Sequence, residues 1–159
     1  MTTPALAIRP AALSDAPALA ELHASAFAFP AEYWSAAMVS ESLAVPATCA
    51  LAAWEGNAPR GFLLLRAIEN AHTAEILTLC VHPSGQRQKL ATRLIEAGKA
   101  WARAHGAFAL YLDVAEDNGA ARALYTQCGF TENGRRKGYY TRPHGKVDAV
   151  LMEWHVCGA

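Results

Sequence analysis

The 159-residue sequence contains no apolar run near the ~18 residues of a membrane span, so no transmembrane helix is expected and no membrane partner. It has no surplus of charge: fourteen Lys and Arg balance fourteen Asp and Glu, which argues against a broad nucleic-acid surface. Charged residues make up only 18% while 53% are hydrophobic, a figure raised by alanine, so the composition is that of a packed chain. Residues 1–15 lack a basic segment ahead of an apolar core and do not read as a signal peptide. Cys49, Cys80, Cys128 and Cys157 show no close spacing and sit in mostly apolar contexts, which suits free thiols in a reducing, cytoplasmic compartment. The six histidines are scattered without ligand spacing, so no metal is expected. There are no repeats, low-complexity segments or linkers. The length suits a single domain over residues 1–159.

What the sequence does contain is a regular exchange of strand and helix periods. Residues 5–11 read as a short strand, and a helix follows from Ser14, expected to stop within residues 27–30 because the position before Pro30 is pushed out of the helical region. Residues 31–43 carry a second helical pattern. Two apolar runs, 48–55 and 61–70, flank the turn residues 56–60 as a hairpin, and 74–83 adds a third strand whose mixed apolar run predicts burial on both faces. From Gln86 the period changes: Leu90, Leu94, Ala97 and Trp101 form a helical stripe, with Gly106 as its stop. A strand at 107–114, a helix from Asn118 to about Gly129, and two strands around the turn 142–146 complete the chain. The order is β-α-α-β-β-β-α-β-α-β-β, an α/β (α+β mixed) fold with a mixed sheet and helices on both faces.

One junction carries chemistry. Residues 81–94, VHPSGQRQKLATRL, place Arg87, Lys89 and Arg93 where a strand hands over to a helix. Free backbone N–H groups and the helix dipole favour an anion there, such as a phosphate-bearing ligand. A solvated, basic first turn is the alternative from this stretch alone.

The element order, with this basic turn, resembles the GNAT family of acyl-CoA N-acyltransferases. The family's Q/R-x-x-G-x-G/A signature falls on Gln86 to Ala91, where Gln86 and Ala91 match and Lys89 replaces the central glycine. The pattern N-x-x-A-x-x-L-Y-x-x-x-G-F is met by Asn118, Ala121, Leu124, Tyr125, Gly129 and Phe130. The R-x-x-Y-Y and D-A-x-x-M patterns, at 136–140 and 148–152, together with the 24–34 loop, resemble the subgroup that acetylates protein N-termini, and within it the RimI-type enzymes. The resemblance implies a cytoplasmic, acetyl-CoA-dependent N-acetyltransferase without a metal. Its acceptor would be a protein N-terminus, such as a ribosomal protein beginning with alanine. A small-molecule amine and a non-catalytic acyl-CoA sensor are the alternatives.

The same resemblance assigns residues. Arg87, Gln88, Lys89, Leu90, Ala91 and Thr92 would cradle the pyrophosphate, and a lysine in place of glycine is expected in an ordinary helical conformation. Leu79, Cys80 and Val81 would pair through their backbone with the pantetheine arm, one N–H serving as oxyanion donor. Tyr125 would be the general acid to the departing thiolate, or simply a core tyrosine. Asn118 would cap its helix and face the cofactor. Asp113 falls where the subgroup has a glutamate as general base; one methylene shorter, it would work through water or be only a structural carboxylate. Phe29, Pro30, Tyr139 and Tyr140 would bind the peptide, unless they are plain hydrophobic packing.

Overall fold

The computed structural model describes residues 6–27, 29, 32–84 and 89–156. Its elements follow the predicted order. They are β1 (Ala7–Pro10), α1 (Ala16–Ala26), α2 (Ala36–Ala44), β2 (Thr48–Glu55), β3 (Ala58–Ile68), β4 (Thr73–Val81), α3 (Leu90–Ala104), β5 (Ala109–Ala115), α4 (Gly119–Gln127), β6 (Thr131–Arg142) and β7 (Gly145–His155). The strands are hydrogen-bonded in the order β1-β2-β3-β4-β5-β7-β6. β4 and β5 run parallel, a pairing that requires a crossover, and α3 supplies it. β1/β2, β5/β7 and β6/β7 are antiparallel, so the sheet is mixed as expected.

Several boundaries moved for local reasons. α2 begins at Ala36, because the Ser35 hydroxyl accepts the Met38 N–H at 3.1 Å and caps the helix there. The β2–β3 hairpin turns through Gly56 and Asn57, with Gly56 at φ 61°, and residues 58–60 join the strand. β4 is not buried evenly on both faces; Ala74, Ile76, Thr78 and Cys80 are buried and alternate with half-buried neighbours. β6 starts at Thr131, well before the strand expected around Tyr139. The buried face of α3 is Leu90, Leu94, Ile95, Gly98 and Ala102, whereas Ala97 and Trp101 of the expected stripe are half-buried.

The chain packs as two compact units. One comprises Met1–Leu65 with Thr78–Gly98, the other Arg66–Leu77 with Lys99–Ala159. In the first, Phe62, Leu63, Leu64 and Leu65 of β3 are fully buried together with Leu19, Leu90, Leu94 and Ile95. Gly98 sits so close to this layer that a Cβ on it would lie 2.4 Å from Leu63 Cδ2, which explains a glycine inside a helix. In the second, the strands bury Leu110, Leu112, Val150, Met152 and Trp154 with Tyr125 and Phe130. Lys99 is buried here too: its Nζ donates to the Cys128 carbonyl at the end of α4 at 2.5 Å and lies 4.9 Å from the Trp154 ring. A cation there complements the helix dipole.

His23, in the first unit, is fully buried. The Trp34 N–H donates to its Nδ1 at 3.3 Å, which leaves Nε2 protonated to donate to Thr78 Oγ1 at 2.9 Å. The ring stacks on Phe27 with centroids 4.1 Å apart. Burial lowers its pKa from 6.5 to about 4, so the fold holds the neutral imidazole. The unfolded chain takes up this proton as pH falls below about 6.5, while the folded chain resists until about 4. His23 therefore contributes full stability above 6.5 and progressively less down to 4. Urea unfolding at pH 7.5 and pH 5 should show a smaller pH-dependent loss in His23→Gln than in the wild type. An equal loss in both would refute the buried neutral imidazole.

Candidate active site

In the first unit the candidate cofactor residues lie at the end of β4 and the start of α3. Cys80 and Val81 are buried and Leu79 is half-buried. The His82 N–H donates to the Arg60 carbonyl of β3 at 2.8 Å. By the two-residue period of a strand, the Cys80 backbone faces β3 as well. Gly61 agrees, since a Cβ on it would lie 3.0 Å from the Cys80 carbonyl oxygen. The N–H groups of Leu79 and Val81 therefore point away from β3. The parallel ladder from β4 to β5 covers only Thr73, Ala74 and Glu75. The Cys80 thiol is pushed up to about 12 by burial. Among the described residues, Cys49, Cys80 and Cys128 are free thiols, and no group of His, Cys, Asp and Glu could hold a metal ion.

Arg87 and Gln88 lie outside the described residues, as do Pro30 and Cys157. Lys89 is described and departs from expectation. Its φ is 55°, the left-handed region that glycine occupies freely, and not the helical value expected of a lysine. Its carbonyl accepts the Arg93 N–H at 3.1 Å, the first bond of the α3 ladder. Lys89 thus takes a backbone conformation that a glycine in its place would adopt without strain. Leu90 anchors the helix start in the core, while Ala91 and Thr92 are half-buried. Phe29 is half-buried, its carbonyl accepting the Glu32 N–H at 3.0 Å.

The second unit gathers the remaining candidates. Asn118 caps α4 as expected, its Oδ1 accepting the Ala121 N–H at 3.1 Å. Tyr125 follows on the buried face, edge-on to Phe130 with centroids 5.7 Å apart. Burial raises its pKa, and Tyr140 and Cys128 nearby add to the rise, so the hydroxyl stays protonated. Successive residues of a strand point to opposite faces, yet the Tyr139 and Tyr140 rings meet edge to face at 5.0 Å. The register explains it. Arg136 pairs with Ala149 and Tyr140 with Val147, so β6 carries extra residues in a bulge. Gly138 takes φ 60° inside it, and the Asp148 carboxylate accepts the Gly138 N–H at 2.9 Å. The R-x-x-Y-Y and D-A-x-x-M patterns are therefore two sides of one bulge.

Asp113 faces Arg136, with Nε 3.3 Å from its Oδ2, and Arg136 in turn lies 5.9 Å from the Tyr139 ring. Asp113, Arg136, Tyr139 and Tyr140 thus form a continuous series of contacts. The sequence did not disclose the part played by Asp148, nor that of Arg142 and Asp117, which join in an ion pair beside Tyr140. Asp148 had a signal in the D-A-x-x-M pattern; the other two had none.

The second unit thus carries a buried, protonated tyrosine on a capped helix, and the first a strand end with two backbone N–H groups turned away from β3. The chain belongs to the acetyltransferase (GNAT) family, which it matches over residues 16–130. It is 37% identical over 79 residues to the [ribosomal protein bS18]-alanine N-acetyltransferase of Escherichia coli (strain K12). That stretch is 50% of this chain and 53% of that protein, so the chain spans about half the length of the curated relatives it matches. The crystal structure of the ribosomal-protein-S18-alanine N-acetyltransferase from Escherichia coli aligns with TM-score 0.86 and 26% identity, over 97% of this chain and 96% of that one. An acetyltransferase structure from Salmonella typhimurium with its cofactor acetyl-CoA shares the fold at TM-score 0.81 and 18% identity, over 98% and 96% of the two chains.

The conformation of Lys89 gives a test. A left-handed non-glycine residue costs ~1–2 kcal/mol, and glycine returns part of the gain as backbone entropy of the unfolded chain. Lys89→Gly should raise unfolding stability by about 0.5–1 kcal/mol in urea titrations, and the β-branched Lys89→Val should lower it. A stabilising Val or a destabilising Gly would contradict the positive φ.

Proposed function

We propose that the chain transfers the acetyl group of acetyl-CoA to the N-terminal amine of a protein, in the cytoplasm. The acceptor would be a ribosomal protein with N-terminal alanine, as the relatives' names suggest. The observation that carries the reading is a buried, protonated Tyr125 in the same unit as the Tyr139–Tyr140 pair. A mere acyl-CoA sensor needs neither a proton donor nor an acceptor slot.

In this reading residues 1–159 serve as a single catalytic domain. Arg87 to Thr92 hold the pyrophosphate at the start of α3. Leu79 or Val81 offers an N–H to the thioester oxygen as charge develops there. The neutral amine attacks the carbonyl carbon, the C–S bond breaks, and the amine's extra proton leaves to water or to Asp113. Tyr125, kept protonated by burial, is the general acid: its O–H proton passes to the departing sulfur as the C–S bond breaks, and the proton shed by the amine restores it. Phe29, Pro30, Tyr139 and Tyr140 flank the peptide. Because Arg136 holds the Asp113 carboxylate, a water between Asp113 and the amine is favoured over direct contact.

The α-amino group has a pKa of ~7.7–8.0 against ~10.4 for lysine, so much more of it is neutral near pH 7. The reading is tested with two matched peptides. One has a free N-terminal alanine and no lysine; the other has a blocked N-terminus and one free lysine. The first should be acetylated faster, and the reverse order would leave only the family assignment standing. Tyr125→Phe should lower kcat by ~10²-fold while acetyl-CoA binding, measured by calorimetry, stays intact. Near-normal turnover would show that the sulfur leaves without help from Tyr125.

A further inference from the structure

We infer that Arg142 is a positioning residue that sets Tyr140 and Tyr125 relative to each other by gripping Asp117. The inference rests on the roles just proposed for the two tyrosines. Arg142 ends β6, and its side chain is only 2% exposed. Nε donates to Asp117 Oδ2 and Nη2 to Asp117 Oδ1, each at 2.9 Å, a two-pronged pair. Nη1 donates to the Thr141 carbonyl at 3.2 Å, and Cζ lies 5.7 Å from the Tyr140 ring centroid. The pairing holds the Asp117 carboxyl below its usual range.

Two routes lead outward from this guanidinium, one to each tyrosine. Along the first, Asp117 immediately precedes Asn118, whose side chain caps α4, and α4 carries Tyr125. Along the second, Arg142 lies against the Tyr140 ring itself. Movement at the β6–β7 turn is thereby tied to movement at the start of α4. A buried guanidinium is expensive to desolvate, and an apolar residue of similar volume often serves stability as well or better. The pair is better understood as fixing geometry. A lysine could offer one bond but not the planar fork.

The test uses the full chain with Arg142→Lys, Asp117→Asn and the combined variant. Asp117 is 38% exposed, so its neutralisation leaves no hole in the core. With acetyl-CoA and a free N-terminal alanine peptide, kcat/KM for the peptide should fall about 10²-fold, the scale of a misplacement of ~1 Å. The KM for acetyl-CoA should stay within about twofold, and the combined variant should lose no more than the worse single one, because both remove one interaction. Unchanged peptide kinetics in Asp117→Asn would overturn the inference and leave the proposed function standing, as would an equal loss toward both substrates, which marks a merely structural role. A wild-type chain that fails to acetylate the peptide would instead remove the proposed function. Ring-labelled tyrosine NMR then decides the positioning separately. Tyr125 resonances should shift in both single variants; unmoved resonances would overturn the inference.

Discussion

A strand cannot present two consecutive side chains to one another unless its alternation is broken. The arrangement of the second unit depends on that break. The bulge before Tyr140 turns two neighbouring tyrosines into a pair, and a single carboxylate, Asp148, holds it by accepting the Gly138 N–H. From there the contacts run outward: Tyr140 to Arg142 on one side, Tyr139 to Arg136 and Asp113 on the other. A glycine at φ 60° makes the bulge inexpensive, since a side chain there would be strained whatever the space around it.

The two units differ in how they offer chemistry. The candidate groups of the first are mainly backbone, the N–H groups of a strand end and a helix start, kept in place by the buried Leu90 side chain and by the close backbone approach that Gly61 permits. The second offers side chains held by other side chains. Substitutions should therefore be felt differently. Backbone donors tolerate most side-chain changes that keep the turn, whereas the tyrosine cluster depends on the identity of several charged residues around it.

The element order was legible in the sequence because apolar residues recur with clear helix and strand periods, as between Leu90 and Ala104. Asn118 was legible as a cap because the N-x-x-A spacing states the bond directly. The early part of β6 was not: Thr131 to Gly138 is polar, with no alternation, and is a strand only because β7 lies beside it. Lys89 misled for a related reason. Propensity favours the helical region for lysine, yet the turn into α3 requires the left-handed one and prevails. The Arg142–Asp117 pair spans 25 residues with no period or spacing to link its members, so only the fold brings it out.

A cysteine beside the proposed path of a thioester poses a problem of selectivity. Acyl groups pass readily from one thiolate to another, and a reactive thiol near the acetyl group would divert it onto the protein itself. Cys80 avoids this through its setting. Burial pushes its pKa up to about 12, so the thiolate is scarce near pH 7, and the residue is 4% exposed. The strand can thus keep a small apolar residue at this position without adding a competing nucleophile to the reaction.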